Sequence, residues 1–449
     1  MYRYLLIAVL IVQSHVSLAQ DPLLPEGLLD DPFATPETTI EQDETIDPTL
    51  SFGGFWESRI GGRLVDDNNQ RSASLSEIRL QLEFSKDFDL ASINLVGDFI
   101  YDHLADQHSI DLEKGQGYFD LREANFEASP TDNVDLKFGR QILTWGTGDL
   151  VFINDLFSKD WHSFFLGRDE EYLKAPSDAL KASLYSNVVN VDLIYNPHFD
   201  ADRFLDGRRI SYYAPASDSI VGRPTGIITE DYPGSWLKDD EISLRLHQNV
   251  SGYEVAGYGY HGRWKSPQGQ AAVTGNSTFP ALNVLGASAR GPLGGGIANM
   301  EAGYYNSQDD GDGTNSLIRN SETRFLVGFE REAARDLTLG LQWYVEHMLD
   351  YGAYENALSS GAKAKDENRH LLTSRLTWLT HSQNTEWSLF AFYSPTDQDL
   401  YIRPRVSYKI DDFWTAEAGS NIFAGKDKHT FFGQFRDNTN AYMALRYGF

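Results

Sequence analysis

The chain has 449 residues, no cysteine, 13% aromatic residues and a formal net charge of -27. Without cysteine it can form no disulfide, no Cys-ligated zinc site, no thiol nucleophile and no lipid-modified N-terminal cysteine, and so acidic a surface excludes nucleic acid as a partner. The length suits a single β-barrel, and after the N-terminus no apolar run reaches the roughly 18 residues that a membrane-spanning helix needs.

Met1-Tyr2-Arg3 precedes the apolar run Leu5 to Val12 and the small-residue site Ser17-Leu18-Ala19. A basic start, a short apolar core and a small-x-small site predict a signal peptide over residues 1–19 and export from the cytoplasm. Residues 20–51 hold no Lys or Arg but carry Asp21, Glu26, Asp30, Asp31, Glu37, Glu41, Asp43, Glu44 and Asp47, and Pro22, Pro25, Pro32, Pro36 and Pro48 interrupt them. With little apolar surface to bury, this stretch is expected to be an acidic disordered tail. It reads as a solvated spacer or as a periplasmic arm that docks on a partner or dips into the pore mouth.

Residues 52–449 read as an all-β unit, a transmembrane antiparallel up-and-down barrel of about 18 strands, with 16 to 18 the expected range. Amphipathic segments fall at 54–65, 75–84, 92–101, 118–128, 134–145, 180–186, 189–197, 241–248 and 253–264. They continue at 282–291, 296–306, 323–332, 338–348, 371–380, 387–393, 400–410, 414–423 and 439–449. Connections after every second segment are short, as at 130–133, 187–188 and 292–295, whereas those between are mostly long, as at 146–179, 198–240 and 349–370. Sorting by parity predicts short periplasmic turns, long extracellular loops and both termini in the periplasm.

Several segments have clean faces. Ile78, Leu80, Leu82 and Phe84 alternate with Glu77, Arg79, Gln81 and Glu83, and Ile242, Leu244 and Leu246 with Glu241, Ser243, Arg245 and His247. Ile402, Pro404, Val406 and Tyr408 alternate with Arg403, Arg405, Ser407 and Lys409. A charge facing lipid at mid-bilayer costs about 2–4 kcal/mol, so the charged faces must point inward. So wide a barrel cannot be filled by wall side chains alone, which leaves a lumen filled by water or plugged by loops. Alternation therefore makes Arg79, Arg245, Arg375, Arg403, Arg405, Lys409 and Arg446 candidate pore-lining, solute-binding residues. Glu77, Asp98, Glu346 and Glu417 neutralise part of this set, and the remaining positive wall is expected to act as a track for anionic groups of a solute.

The segment Phe138-Gly139-Arg140-Gln141-Ile142-Leu143-Thr144-Trp145-Gly146 resembles the Gly-Arg-Gln strand followed by Trp-Gly in the alginate-export-like porins and in a related group of uncharacterised proteobacterial barrels. The resemblance covers this segment and the barrel topology, and it implies a bacterial outer-membrane porin. Strict alternation puts Arg140 on the face of Phe138, so a bulge near Gly139 is expected to turn Arg140 inward and add it to the pore-lining set. The following loop carries Phe152, Phe157, Trp161, Phe164, Phe165 and Tyr172 among many charges. So aromatic a loop is expected to fold into the lumen as a constriction, or else to pack as an extracellular lid.

Asp310-Gly311-Asp312-Gly313-Thr314-Asn315 spaces oxygen ligands but lacks the glutamate that closes a calcium loop, so Asp310 and Asp312 are weak calcium candidates and neither a metal nor a cofactor is expected. No G-x-S-x-G elbow occurs, and His247, His261 and His347 lack metal-ligand spacing, so the chain is not expected to be an enzyme. The final segment Asn440 to Phe449 alternates apolar and polar residues and ends on phenylalanine, which resembles the closing strand of bacterial outer-membrane barrels. The expected function is an outer-membrane porin-like channel, set among outer-membrane lipid and lipopolysaccharide, that passes hydrophilic solutes, including anionic ones, or an exported polymer. The alternative is the outer-membrane barrel of a transport system for hydrophobic or lipid cargo, working with a periplasmic or inner-membrane partner.

Overall fold

The computed structural model describes residues 49–449. The signal peptide expected at 1–19 lies outside the described residues, as does the expected tail apart from its last three positions, of which Leu50 and Ser51 already belong to the first strand.

Seven strands open the chain: β1 (Leu50–Arg63), β2 (Ala73–Phe88), β3 (Ala91–Asp102), β4 (Phe119–Thr131), β5 (Val134–Ile142), β6 (Pro176–Leu184) and β7 (Asn190–Asn196). The long connection 197–240 contains a small hairpin of β8 (Tyr212–Ala214) and β9 (Ser219–Val221). β10 (Glu241–Val250) and β11 (Tyr253–Arg263) follow, then a second small hairpin of β12 (Gly269–Gln270) and β13 (Ser277–Thr278). The chain continues with β14 (Ala281–Leu293), β15 (Gly296–Ser307), β16 (Glu322–Ala334), β17 (Leu337–Met348) and β18 (Asn368–Thr380). It ends with β19 (Thr385–Ser394), β20 (Asp399–Lys409), β21 (Trp414–Gly425) and β22 (Asn440–Gly448). Two short helices, α1 (Trp161–Leu166) and α2 (Tyr351–Ala357), lie in connections.

All strands but the two hairpins form one 18-stranded antiparallel sheet. It closes where β22 returns to β1, in a register running from Phe55 opposite Gly448 to Arg63 opposite Asn440. Closure leaves no unpaired strand edge. The two faces of the wall follow the alternation of the sequence. On β2, Glu77, Arg79 and Gln81 are buried whereas Ile78 and Phe84 are exposed, and the outward surface elsewhere carries Leu285, Met300, Leu341 and Met443. An apolar exterior over a charged interior is what a hydrocarbon slab demands of a barrel.

One end of the barrel carries tight turns such as 89–90, 132–133 and 294–295, and the other carries the long loops 143–175 and 197–240. The connection 395–398 is the exception at the long-loop end, a tight turn in which Asp397 N donates to Ser394 Oγ at 3.1 Å. All eighteen expected segments correspond to wall strands. β6 begins four residues earlier than its alternation indicates, because Pro176, Ser177 and Asp178 pair with Ile142, Gln141 and Arg140 without an apolar pattern of their own.

The bulge expected near Gly139 is absent. The ladders run without a shift through Asn125 opposite Gly139 and Ala124 opposite Arg140, and through Gly139 opposite Ala179. Gly139 instead takes a φ of 115°, a conformation that favours glycine. Arg140 lies two residues from the end of β5 and is covered there by the loop 103–118, donating to the Leu112 carbonyl at 2.7 Å and lying 3.3 Å from Glu113 and 3.1 Å from Asp178.

Candidate functional site

The loop 143–175 folds into the barrel, as its partners show. It is held by inward-facing groups of β1, β2, β4, β14, β15, β16, β17, β18, β20 and β22. Loop carbonyls and charged side chains supply most of these contacts, among them Arg375, which lies midway along β18.

Local sequence explains its shape. Asp160 caps α1 by accepting from Ser163 N at 2.7 Å, and Gly167 ends the helix with a φ of 89°. A Cβ at Gly167 would lie 2.3 Å from the Tyr442 ring, so the loop can approach β22 this closely only with glycine here. The Gly167 carbonyl then accepts from Arg59 Nη1 at 2.6 Å. Around α1 the aromatics form a core inside the barrel. Phe165 packs on Tyr401, Phe423 and Phe435 with ring centroids 5.3–5.5 Å apart, and Phe164 lies 5.7 Å from Tyr401. Trp161 contacts Phe152, Phe164 and Phe165. Tyr172 is clasped between Arg79 at 4.1 Å and Arg122 at 4.7 Å, and Phe157 sits apart with Leu143, Ala179 and Ile194.

The charges form a network that joins loop to wall. Arg375 donates to Asp149 from Nε at 2.6 Å and from Nη2 at 2.8 Å, and Nη2 also donates to Glu170 at 2.6 Å. Arg403 gives Nη2 to the Arg168 carbonyl at 2.8 Å and lies 3.9 Å from Glu170. Arg446 reaches Glu57 at 3.0 Å and Asp169 at 3.3 Å, Arg405 pairs with Glu386 and Glu417, and Arg59 pairs with Glu57 and Glu417. Arg168 meets Glu77 at 2.8 Å, and Arg79 pairs with Asp98. Burial alone would push the Glu170 carboxyl up, but Arg375 and Arg403 hold it down at about 2. Its neighbour Asp149 goes the other way, raised by burial beyond what Arg375 offsets and further by Glu170.

The structure thus brings Arg79, Arg375, Arg403, Arg405 and Arg446 together around the loop. Arg245 lies apart with Glu254 and Asp192, Arg140 sits at the rim, and Lys409 ends β20 beside the tight turns. The positive wall expected from alternation is met by loop carboxylates that alternation could not position. Glu57, Arg59, Arg122, Glu301 and Gln342 were not identified as site residues from the sequence. Glu57 and Arg59 do alternate with Trp56, Ser58 and Ile60, a legible signal, but nothing in the sequence marks Glu301 or Gln342 as loop anchors.

Asp310 spends its carboxylate on the backbone N–H groups of Thr314 and Asn315, and Asp312 accepts from Thr314. Among the described residues no group of three His, Asp or Glu side chains is placed to hold a metal ion.

No protein-family model matches the chain, and no curated protein matches it. Among solved structures it is similar to Acinetobacter baumannii OccAB3, with a TM-score of 0.52 and 10% identity over 89% of this chain and 99% of that one. It is also similar to Acinetobacter baumannii OccAB1, with a TM-score of 0.50 and 10% identity over 89% of this chain and 95% of that one. At such identity the likeness concerns the fold. The class defined here is a closed 18-stranded antiparallel barrel of the porin fold, with its third long loop folded inside.

Proposed function

We propose that this chain is an outer-membrane channel for small hydrophilic solutes, anionic ones among them, with the long loops extracellular, the tight turns periplasmic, and lipid and lipopolysaccharide around its apolar exterior. One observation carries the reading. Arg375 lies midway along β18, enclosed by the barrel, yet its side chain keeps 21% of its exposure and those of its partners Asp149 and Glu170 keep 36% and 33%. Part of each of these charged side chains stays open to the lumen although burial still shifts both carboxyls, which supports an aqueous route past the loop.

A ring of charge beside low-dielectric walls focuses the field on whatever passes, and the guanidinium of Arg375 can exchange a loop carboxylate for an anionic group of the solute. The crowded lumen favours small solutes over the exported polymer suggested by the alginate-export-like resemblance. Proteoliposomes holding the chain should swell in isotonic arabinose, and Arg375→Glu should slow the uptake of small carboxylates relative to sugars. No swelling above that of protein-free liposomes would refute the channel.

A further inference from the structure

The outer face of the wall is uneven at the long-loop end. From β11 through β14 to β18 its outward positions there form a polar band. The register sets His261 opposite Asn283, Asn283 opposite Asn306, Thr323 opposite His347 and His347 opposite Asn368. On the next strands, β19 to β22, the outward positions at the same end are Tyr393, Ile402, Ile422 and Ala441. The band contains no Lys, Arg, Asp or Glu. Exposed Tyr304 and Trp343 lie just beneath it, on the side of the tight turns. Outward tyrosine and tryptophan mark the height at which a barrel wall leaves the hydrocarbon, so the band stands among head groups.

The polar side chains are oriented in pairs. His261 Nδ1 lies 2.6 Å from Asn283 Oδ1, and His347 Nδ1 lies 2.9 Å from Asn368 Oδ1. An amide oxygen only accepts, so Nδ1 donates, and a neutral ring held this way leaves Nε2 as an acceptor beside the amide N–H donors. Trp343 Nε1 donates to His370 Nδ1 at 3.3 Å, so that ring offers an Nε2–H donor instead. Beneath the band run two apolar grooves that share Leu285 and Tyr304. One, of about 440 Å³, is lined by Ile242, Leu244 and Gly259 and has His261 and Asn283 at its long-loop end. The other, of about 530 Å³, is lined by Ala287, Ala302, Phe325 and Val345 and reaches Thr323 and His347. Small outward residues make these depressions, and a Cβ on Gly259 would meet nothing within 4 Å.

We infer that this sector of the wall binds one outer-leaflet glycolipid, with sugar hydroxyls and amides on the histidine and asparagine band and acyl chains in the two grooves. Hydroxyls donate and accept at once, which suits a band that sets imidazole acceptors beside amide donors. Without Lys or Arg the band lacks the cations that a site for the phosphate of a phospholipid would use. The inference rests on the membrane placement proposed above, but lipid retention is measured without conduction, so either can fail alone.

The test is native mass spectrometry of the folded full chain, released from detergent after incubation with lipid A or with phosphatidylglycerol. One lipid A per chain is expected to survive collision energies that strip phosphatidylglycerol. His261→Leu combined with His347→Leu should lower the retained fraction about tenfold, as the loss of hydrogen bonds implies. Gly259→Leu, which fills a groove and leaves the band intact, should lower it as well, and it carries the test where the double variant does not fold. Ile402→Ala, on the apolar sector, should leave retention unchanged. Heat-modifiable migration checks that each variant is folded. Equal retention of both lipids, or wild-type retention in either folded variant of the band or groove, would overturn the inference. So would paired chains that separate in the double variant, which would assign the face to a second copy.

Discussion

Glu301 of β15 accepts twice from Asn154 of the inward loop, from the backbone N–H at 3.2 Å and from Nδ2 at 3.0 Å. It also accepts from the backbone N–H groups of Thr147 and Gly148. The carboxylate is 1% exposed, so these N–H dipoles solvate it and it in turn fixes the start of the loop. Two strands along the same wall, Gln342 of β17 holds Asp149 by both main-chain groups at 2.8 Å. Glu301→Ala leaves the loop donors unpaired, at about 1–3 kcal/mol each. The expected outcome is a loosened loop, read as higher and noisier single-channel conductance, with a smaller change in Glu301→Gln.

The aromatic seat of the loop is part of the stability of the whole barrel. Phe165 is buried among Tyr401, Phe423 and Phe435, and Phe165→Ala should cost about 3–5 kcal/mol. The temperature at which the folded barrel loses its heat-modifiable band should fall clearly below that of the wild type. Deleting residues 152–172 should do the same, because Ile153, Phe164, Leu166 and Tyr172 are buried too; an unchanged temperature would show that the loop merely hangs in the lumen.

Glu170 and Asp149 respond to acid at different points although both meet Arg375. The folded Glu170 value of about 2 lies below that of a free glutamate, so the ion pair contributes fully above the free value and is lost as pH falls through the folded one. Asp149, raised by burial, protonates first on acidification, so conductance should begin to change as pH falls through the raised Asp149 range and change again below about pH 3, where Glu170 itself is protonated. Arg375→Gln, which removes the main opposing charge, should move that transition to higher pH.

Phe449 adds two main-chain hydrogen bonds to the seam that closes the barrel. Phe449 N donates to the Gly54 carbonyl at 3.0 Å and Gly54 N donates to the Phe449 carbonyl at 3.1 Å, at the tight-turn end of the β1–β22 seam. Deleting Phe449 should lower the yield of heat-modifiable barrel in the outer membrane. Wild-type yield would mean that the seam holds without this pair.

The wall was legible in the sequence because a barrel strand obeys one rule, apolar out and polar in, which Ile78 against Arg79 or Ile402 against Arg403 displays directly. The site was only half legible. Alternation put Arg375, Arg403 and Arg405 on the inner face, but the carboxylates that meet them come from Asp149, Asp169 and Glu170, on a loop whose path depends on long-range packing of α1 against β20 to β22. Arg140 shows the limit of the rule: near a strand end a covering loop buries a charge that alternation alone would leave facing lipid, and no bulge is needed. The buried aromatics were visible as a cluster, but that they would form a core with Tyr401 and Phe423 inside a barrel has no local signature.

The most direct test of the central claim is the single-channel record of the purified full chain in planar bilayers. The account predicts discrete, long-lived, roughly ohmic steps, larger in Glu301→Ala than in the wild type and, after Arg375→Glu, shifted toward cations at low salt. A folded, heat-modifiable barrel that inserts yet passes no current, in the wild type and in Glu301→Ala alike, would contradict it.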